Sequence, residues 1–105
     1  MGLPRKDRIR AKLKSEDTTV RVLLFHPMHT GRAESVEGVL IPAEFIQDIR
    51  CWRNDEEVLT IKCGTATAKN PYFSFQLVGG KQGDKITLRW VDNIGAKGTV
   101  ETVVK

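Results

Sequence analysis

Cysteine, histidine and aromatic residues are scarce in this chain. Its 105 residues include two cysteines, two histidines, two tryptophans, one tyrosine and four phenylalanines. Two cysteines cannot build a disulfide-dense scaffold. None is needed, since a chain of this length buries about 60–70% of the surface that its unfolded form exposes. Two histidines exclude a mononuclear iron site of the four-His, one-Cys kind. No apolar run approaches the ~20 residues that cross a bilayer as a helix. Met1 to Arg10 lacks an apolar stretch, so no signal peptide is expected, and Lys6 stands where a myristoylation signal needs Ser or Thr. No internal repeat or low-complexity tract is present. What remains is ordinary globular composition, 40% hydrophobic and 29% charged, which excludes wholesale disorder. One domain over 1–105 is expected, with 1–6 as a flexible N-terminal tail.

Lys and Arg number 17 against 13 Asp and Glu, a net charge of +4. The excess is confined to Met1–Lys14, where six basic side chains stand against Asp7. Such an arm raises nucleic acid or an acidic membrane as partners. Its periodicity argues otherwise. Ile9, Ala11 and Leu13 fall on one face and Arg8, Arg10, Lys12 and Lys14 on the other, the period of a half-buried strand. Nucleic-acid grooves interleave basic with aromatic side chains, and this segment has no aromatic. No nucleic-acid or membrane partner is therefore expected. The cationic face reads as a guard against edge pairing or as a steering patch for acidic partner surfaces.

Period-two alternation continues along the chain. Thr18 to Phe25 is apolar on both faces, Val20, Val22 and Leu24 on one, Leu23 and Phe25 on the other. That pattern fits a strand covered on both sides or one whose outer face meets a partner. Pro27 to Pro42 is a long irregular connection, which in a small domain is a functional or disordered loop. Phe45 to Arg53 reads as a strand with Phe45, Ile49 and Cys51 on one face, and Val58 to Cys63 as its hairpin partner after the Asn54–Glu57 turn. Pro71 suits a strand entrance, and Phe73, Phe75 and Leu77 share a face beyond it. Ile86, Leu88 and Trp90 alternate next, a turn follows at Asp92–Gly95, and Thr99 to Val104 closes the chain. Ile41–Ile46 allows one short helical turn at most. Seven strand-like segments without a convincing helix predict an all-β fold, a single immunoglobulin-like antiparallel β-sandwich. The usual disulfide between sheets is not expected, because Cys51 and Cys63 flank a hairpin.

Candidate chemistry is thin. His26, His29, Cys51 and Cys63 could satisfy a tetrahedral zinc, but there is no Cys-x-x-Cys and Pro27 separates the histidines from any helical pairing. No metal or other cofactor is expected. A reactive thiol needs an electropositive, partly exposed setting. Cys63, beside Lys62 at a strand end, meets that better than Cys51 on the apolar face. This keeps open a thiol- or metal-dependent group-transfer enzyme using Cys63. Gly79-Gly80-x-x-Gly83 precedes a strand rather than a helix, so it reads as a flexible hairpin connection and not a phosphate loop. Glu56 and Glu57 lie in a solvated turn, and Asp92 sits where Asp satisfies local backbone.

Four blocks of sequence look familiar together: His26-Pro27-Met28-His29-Thr30-Gly31, then Gly38 through Ile46 with Ile41-Pro42-Ala43-Glu44-Phe45-Ile46, then Asn70-Pro71-Tyr72-Phe73-Ser74-Phe75, and Trp90-Val91-Asp92-Asn93-Ile94-Gly95. In this order and spacing they resemble the SoxZ family, over nearly the whole chain from Arg8 onward. The resemblance implies an immunoglobulin-like sandwich. It also implies a non-catalytic subunit of the SoxYZ carrier of bacterial sulfur oxidation, paired as a heterodimer with SoxY. SoxY carries intermediates of thiosulfate oxidation on a cysteine in a Gly-rich terminal arm. This sequence ends Gly98 to Lys105 without such an arm, as expected of the scaffold subunit. The resemblance further implies a periplasmic location, reached by export with a signal-bearing partner, and transient contact with other sulfur-oxidation enzymes. The expected partner-binding residues are Leu23 and Phe25, His26 and Met28 of the first block, Asn70 and Tyr72 at the Pro71 entrance, and Trp52. Trp52 faces away from Cys51 by alternation, and an outward Trp suits an interface anchor.

Overall fold

A computed structural model describes residues 7–26, 28, 29, 31, 32, 34, 37–64 and 71–105. The alternating segments form seven strands: β1 (Arg8–Lys14), β2 (Asp17–Leu23), β3 (Ile46–Arg53), β4 (Glu56–Lys62), β5 (Tyr72–Leu77), β6 (Lys85–Asp92) and β7 (Lys97–Val103). The described residues include no helix. Two antiparallel sheets result, one ordered β1-β2-β5 and the other β4-β3-β6-β7. The expected all-β sandwich is the fold. In constant immunoglobulin domains the fourth strand joins the sheet of the first. Here β4 stays with β3, because the chain reverses at once: Arg53 pairs with Glu56 and Asn54 takes a left-handed φ of 57°.

The inward faces make the core. Val20, Val22 and Leu24 supply it from the three-stranded sheet, and Ile49, Cys51, Ile86 and Leu88 from the other, all essentially without exposure. Burial of this kind stabilises by about 1.5–3 kcal/mol for each large aliphatic side chain. Strict alternation would place Phe45 inward with Ile49 and Cys51. The structure buries Ile46 instead and leaves Phe45 half-buried. A register shift against β6 between Ile46 and Asp48 moves the inward phase by one residue.

Gly79–Asp84 also departs from expectation. It is not a hairpin connection, since β5 pairs with β2 whereas β6 pairs with β3 and β7, so the segment crosses between the sheets. Gly80 has a φ of 108° and lies so close to Thr18 Oγ1 that any side chain would collide with it. Asp84 Oδ2 accepts the Lys81 N–H at 2.9 Å and tightens the crossing. The last residues stitch this end together. The Val104 N–H donates to Asp84 O at 2.9 Å, and the Lys105 N–H donates to Ala11 O at 3.1 Å while Lys105 O accepts the Leu13 N–H at 3.0 Å.

Candidate functional site

Four stretches meet at the opposite end, where β2 and β6 finish and β3 and β5 begin. They carry the four sequence blocks. The Leu24 N–H donates to Pro71 O at 3.0 Å, joining the exit of β2 to the entrance of β5. His29 and Glu44 exchange backbone hydrogen bonds at 2.7 and 2.9 Å. Asn93 clamps the segment before β3: its side chain accepts the Phe45 N–H at 2.7 Å and donates to Ala43 O at 2.9 Å, and its own N–H donates to Phe45 O at 3.0 Å.

A buried polar pair holds the centre. His26 Nδ1 accepts the Met28 N–H at 3.0 Å, so Nε2 carries the ring proton and donates it to Asp92 Oδ2 at 3.0 Å. Asp92 Oδ1 accepts the Ile94 and Ala96 N–H groups at 3.1 and 2.8 Å, which fixes the turn into β7. His26 and Asp92 are 3% and 2% exposed, a depth at which an unmatched polar atom costs about 1–3 kcal/mol. The Trp90 ring stands edge-on to His26 with centroids 5.3 Å apart. Its indole N–H donates to Asp7 Oδ2 at 2.8 Å, and Asp7 Oδ1 accepts the Phe25 N–H at 2.8 Å. One carboxylate thereby ties the end of the first sheet to β6. Gly98 makes room for the indole, because a Cβ there would lie 2.5 Å from Trp90 Nε1.

The expected partner-binding residues separate into three places. His26 and Met28 are buried, and their contacts are internal: Met28 Sδ receives the Ile46 N–H at 3.3 Å. Leu23 and Tyr72 are cross-strand partners on the outer face of the first sheet, Leu23 half-buried and Tyr72 61% exposed, while Phe25 is half-buried just beyond β2. Trp52 lies on the outer face of the other sheet, half-buried under the Arg89 guanidinium, which sits 5.3 Å from its ring centroid. Asn70, with Pro27 and Thr30 of the first block, lies outside the described residues. The end cluster also exposes apolar side chains that the sequence pattern did not single out. Leu40 and Ile94 are 60% and 63% exposed on the loop before β3 and the turn before β7. Asp7 was missed as well, although a single acid within a basic arm was the available signal.

The potential ligands for zinc do not assemble. Among the described residues the one grouping of three is His26, Glu44 and Asp92, and no three of His26, His29, Cys51 and Cys63 come together. Within that grouping, the His26 nitrogens already serve the Met28 N–H and Asp92. Cys51 and Cys63 are not joined in a disulfide. Burial pushes the Cys51 thiol up to about 11, against a smaller opposing pull from the Arg53 guanidinium, so it stays protonated and unreactive. Cys63 is half-buried at the end of β4, with its N–H donating to Gln47 O at 2.8 Å.

Fold and site together define an all-β sandwich module, with internally bonded loops at one end and Leu40 and Ile94 exposed on them. A family model described as sulphur oxidation protein SoxZ matches residues 7–103, and the chain belongs to that family. The match begins at Asp7, the residue that ties Trp90 to the end of β2. No curated protein matches the chain significantly. Membership of the family gives the chain a role in sulfur oxidation.

Proposed function

We propose that the chain is a non-catalytic subunit that binds SoxY and supports its cysteine-bound sulfur intermediates. Family membership across residues 7–103 carries this reading. The end cluster supports it physically. His26, Asp92 and Asn93 are committed to holding loops rather than to presenting reactive groups. A preformed platform with exposed Leu40 and Ile94 binds at lower entropic cost than loose loops would. SoxY covers this end in the proposed heterodimer, with Phe25 at its rim, and Trp52 offers a second anchor on the other sheet. The complex works in the periplasm, exported on the signal of its partner, and meets other sulfur-oxidation enzymes transiently.

Co-expression with SoxY tests the reading. A stable one-to-one complex is expected on gel filtration. Leu40→Asp with Ile94→Asp should weaken it at least about tenfold, since removing central apolar contacts costs about 1–2 kcal/mol each. An isolated chain that stays separate from SoxY at micromolar concentration, or a variant of undiminished affinity, contradicts the proposal.

A further inference from the structure

The outer face of the β1-β2-β5 sheet carries an unbalanced charge. Arg8, Arg10, Lys12 and Lys14 of β1 and Arg21 of β2 all point outward and are exposed. Asp17 is the single carboxylate in these rows, and it accepts the Gly79 N–H at 3.1 Å. None of the five cations has an ion pair among the described residues, whereas on the other sheet Arg50, Lys62 and Lys85 do and only Arg89 and Lys97 do not. The rest of the chain is electrically balanced, so this face accounts for the net charge of +4.

Edge protection does not explain the pattern. The Ala11–Leu13 part of the β1 edge is already covered, because Lys105 O accepts the Leu13 N–H and the Lys105 N–H donates to Ala11 O. Arg21 stands on β2, the central strand, which has no edge to protect. Moreover, Arg10 and Arg21 are direct cross-strand partners, and like charges placed so are destabilising. A face that tolerates this repulsion is suited to an outside anion. The same rows enclose an open concavity of about 780 Å³, floored by Thr19, Ser74 and Gln76. It is too wide and too exposed for a single small anion. Leu23 and Tyr72 lie side by side at one end of the cationic rows, an apolar foothold next to the charge.

We propose that this face docks the surface of an acidic protein, a strip of Asp and Glu side chains flanking one apolar side chain. The carboxylates would lie over Arg10, Lys12 and Arg21, and the apolar side chain against Leu23 and Tyr72. Interfaces are enriched in Tyr and Arg, and charge of one sign steers encounter. Single-strand grooves add a series of aromatic rings for base stacking to their charge, and these rows hold Tyr72 only, at their margin. The inference does not depend on SoxY, which is proposed for the loop end.

The test uses the 105-residue chain without SoxY. Three probes are titrated by NMR: a short Asp/Glu peptide with a central Leu, its Asn/Gln counterpart, and single-stranded DNA of matched charge. The acidic peptide should shift amides of β1, β2 and β5. Its affinity should fall several-fold as the screening length shrinks from about 30 Å at 0.01 M salt to about 8 Å at 0.15 M. Arg10→Gln with Arg21→Gln should weaken it at least about tenfold, by analogy with close interfacial charge pairs. This variant removes a repulsion, so an undiminished melting temperature checks its fold. Leu23→Ser should weaken the peptide several-fold and leave DNA binding unchanged. Equal binding of the neutral peptide, shifts confined to the loop end, or tighter binding of DNA with no effect of Leu23→Ser would overturn the proposal.

Discussion

Asp7 and Gly98 act on the same indole from two sides. The carboxylate accepts the Trp90 N–H, and the missing side chain of Gly98 leaves space for the ring. Gly98→Ala should therefore displace Trp90 and cost about 1–3 kcal/mol, the range for overpacking a core. Urea unfolding measures the loss, and an unchanged midpoint would contradict the contact. The thiols offer a second residue-scale check. Cys51 is buried with its pKa raised to about 11, and Cys63 is half-buried at a strand end. Iodoacetamide at pH ~8 should modify Cys63 well before Cys51, because the thiolate is the nucleophile. Peptide mass mapping reads the order, and a reversed order would contradict the burial of Cys51.

Turns and crossings govern the element scale. Asp84 sits in the crossing between β5 and β6, where the Lys81 N–H is the main influence holding its carboxyl below the ordinary value. Burial opposes this, and Asn54, Lys81 and Arg53 add to it. A lowered folded value means that the group stabilises the fold above the ordinary carboxylate range, about pH 4, and loses that contribution as pH falls through the folded value. Asp84→Asn should thus lower stability near pH 7 more than near pH 2, measured by urea unfolding at both. An equal loss would remove the linkage. The strands themselves were legible, because Ile9-Ala11-Leu13 and Phe73-Phe75-Leu77 state the pleat directly. The Ile46 irregularity was not, since an extra residue changes no residue type and only pairing with β6 reveals it. Nor was the sheet crossing at Gly79–Asp84, because glycines signal a reversal without saying which sheet receives the next strand. The candidate site was legible as four blocks, yet not in its division of labour. His26 and Met28 look like contact residues in a loop, and only the fold brings Asp92 and Ile46 to satisfy them.

At the scale of the molecule, the two sheets present different surfaces. On the outside of β4-β3-β6-β7 three of the five cations are paired, Arg50 with Glu57, Lys62 with Asp48 and Lys85 with Glu101, while Arg89 lies over Trp52. On the outside of β1-β2-β5 none of the five cations is paired among the described residues, and the end loops expose Leu40 and Ile94. A body with one strongly cationic face, a second face largely ion-paired and exposed apolar side chains on its end loops is suited to holding one partner while meeting another. The central proposal is that the chain carries SoxY and that the sulfur chemistry takes place on SoxY. Mass spectrometry of both subunits, after the co-purified complex has been exposed to thiosulfate and its oxidising enzymes, tests this most directly. The account predicts a sulfur-bearing mass increment on SoxY and none on this chain. An increment on Cys63 of this chain would contradict it.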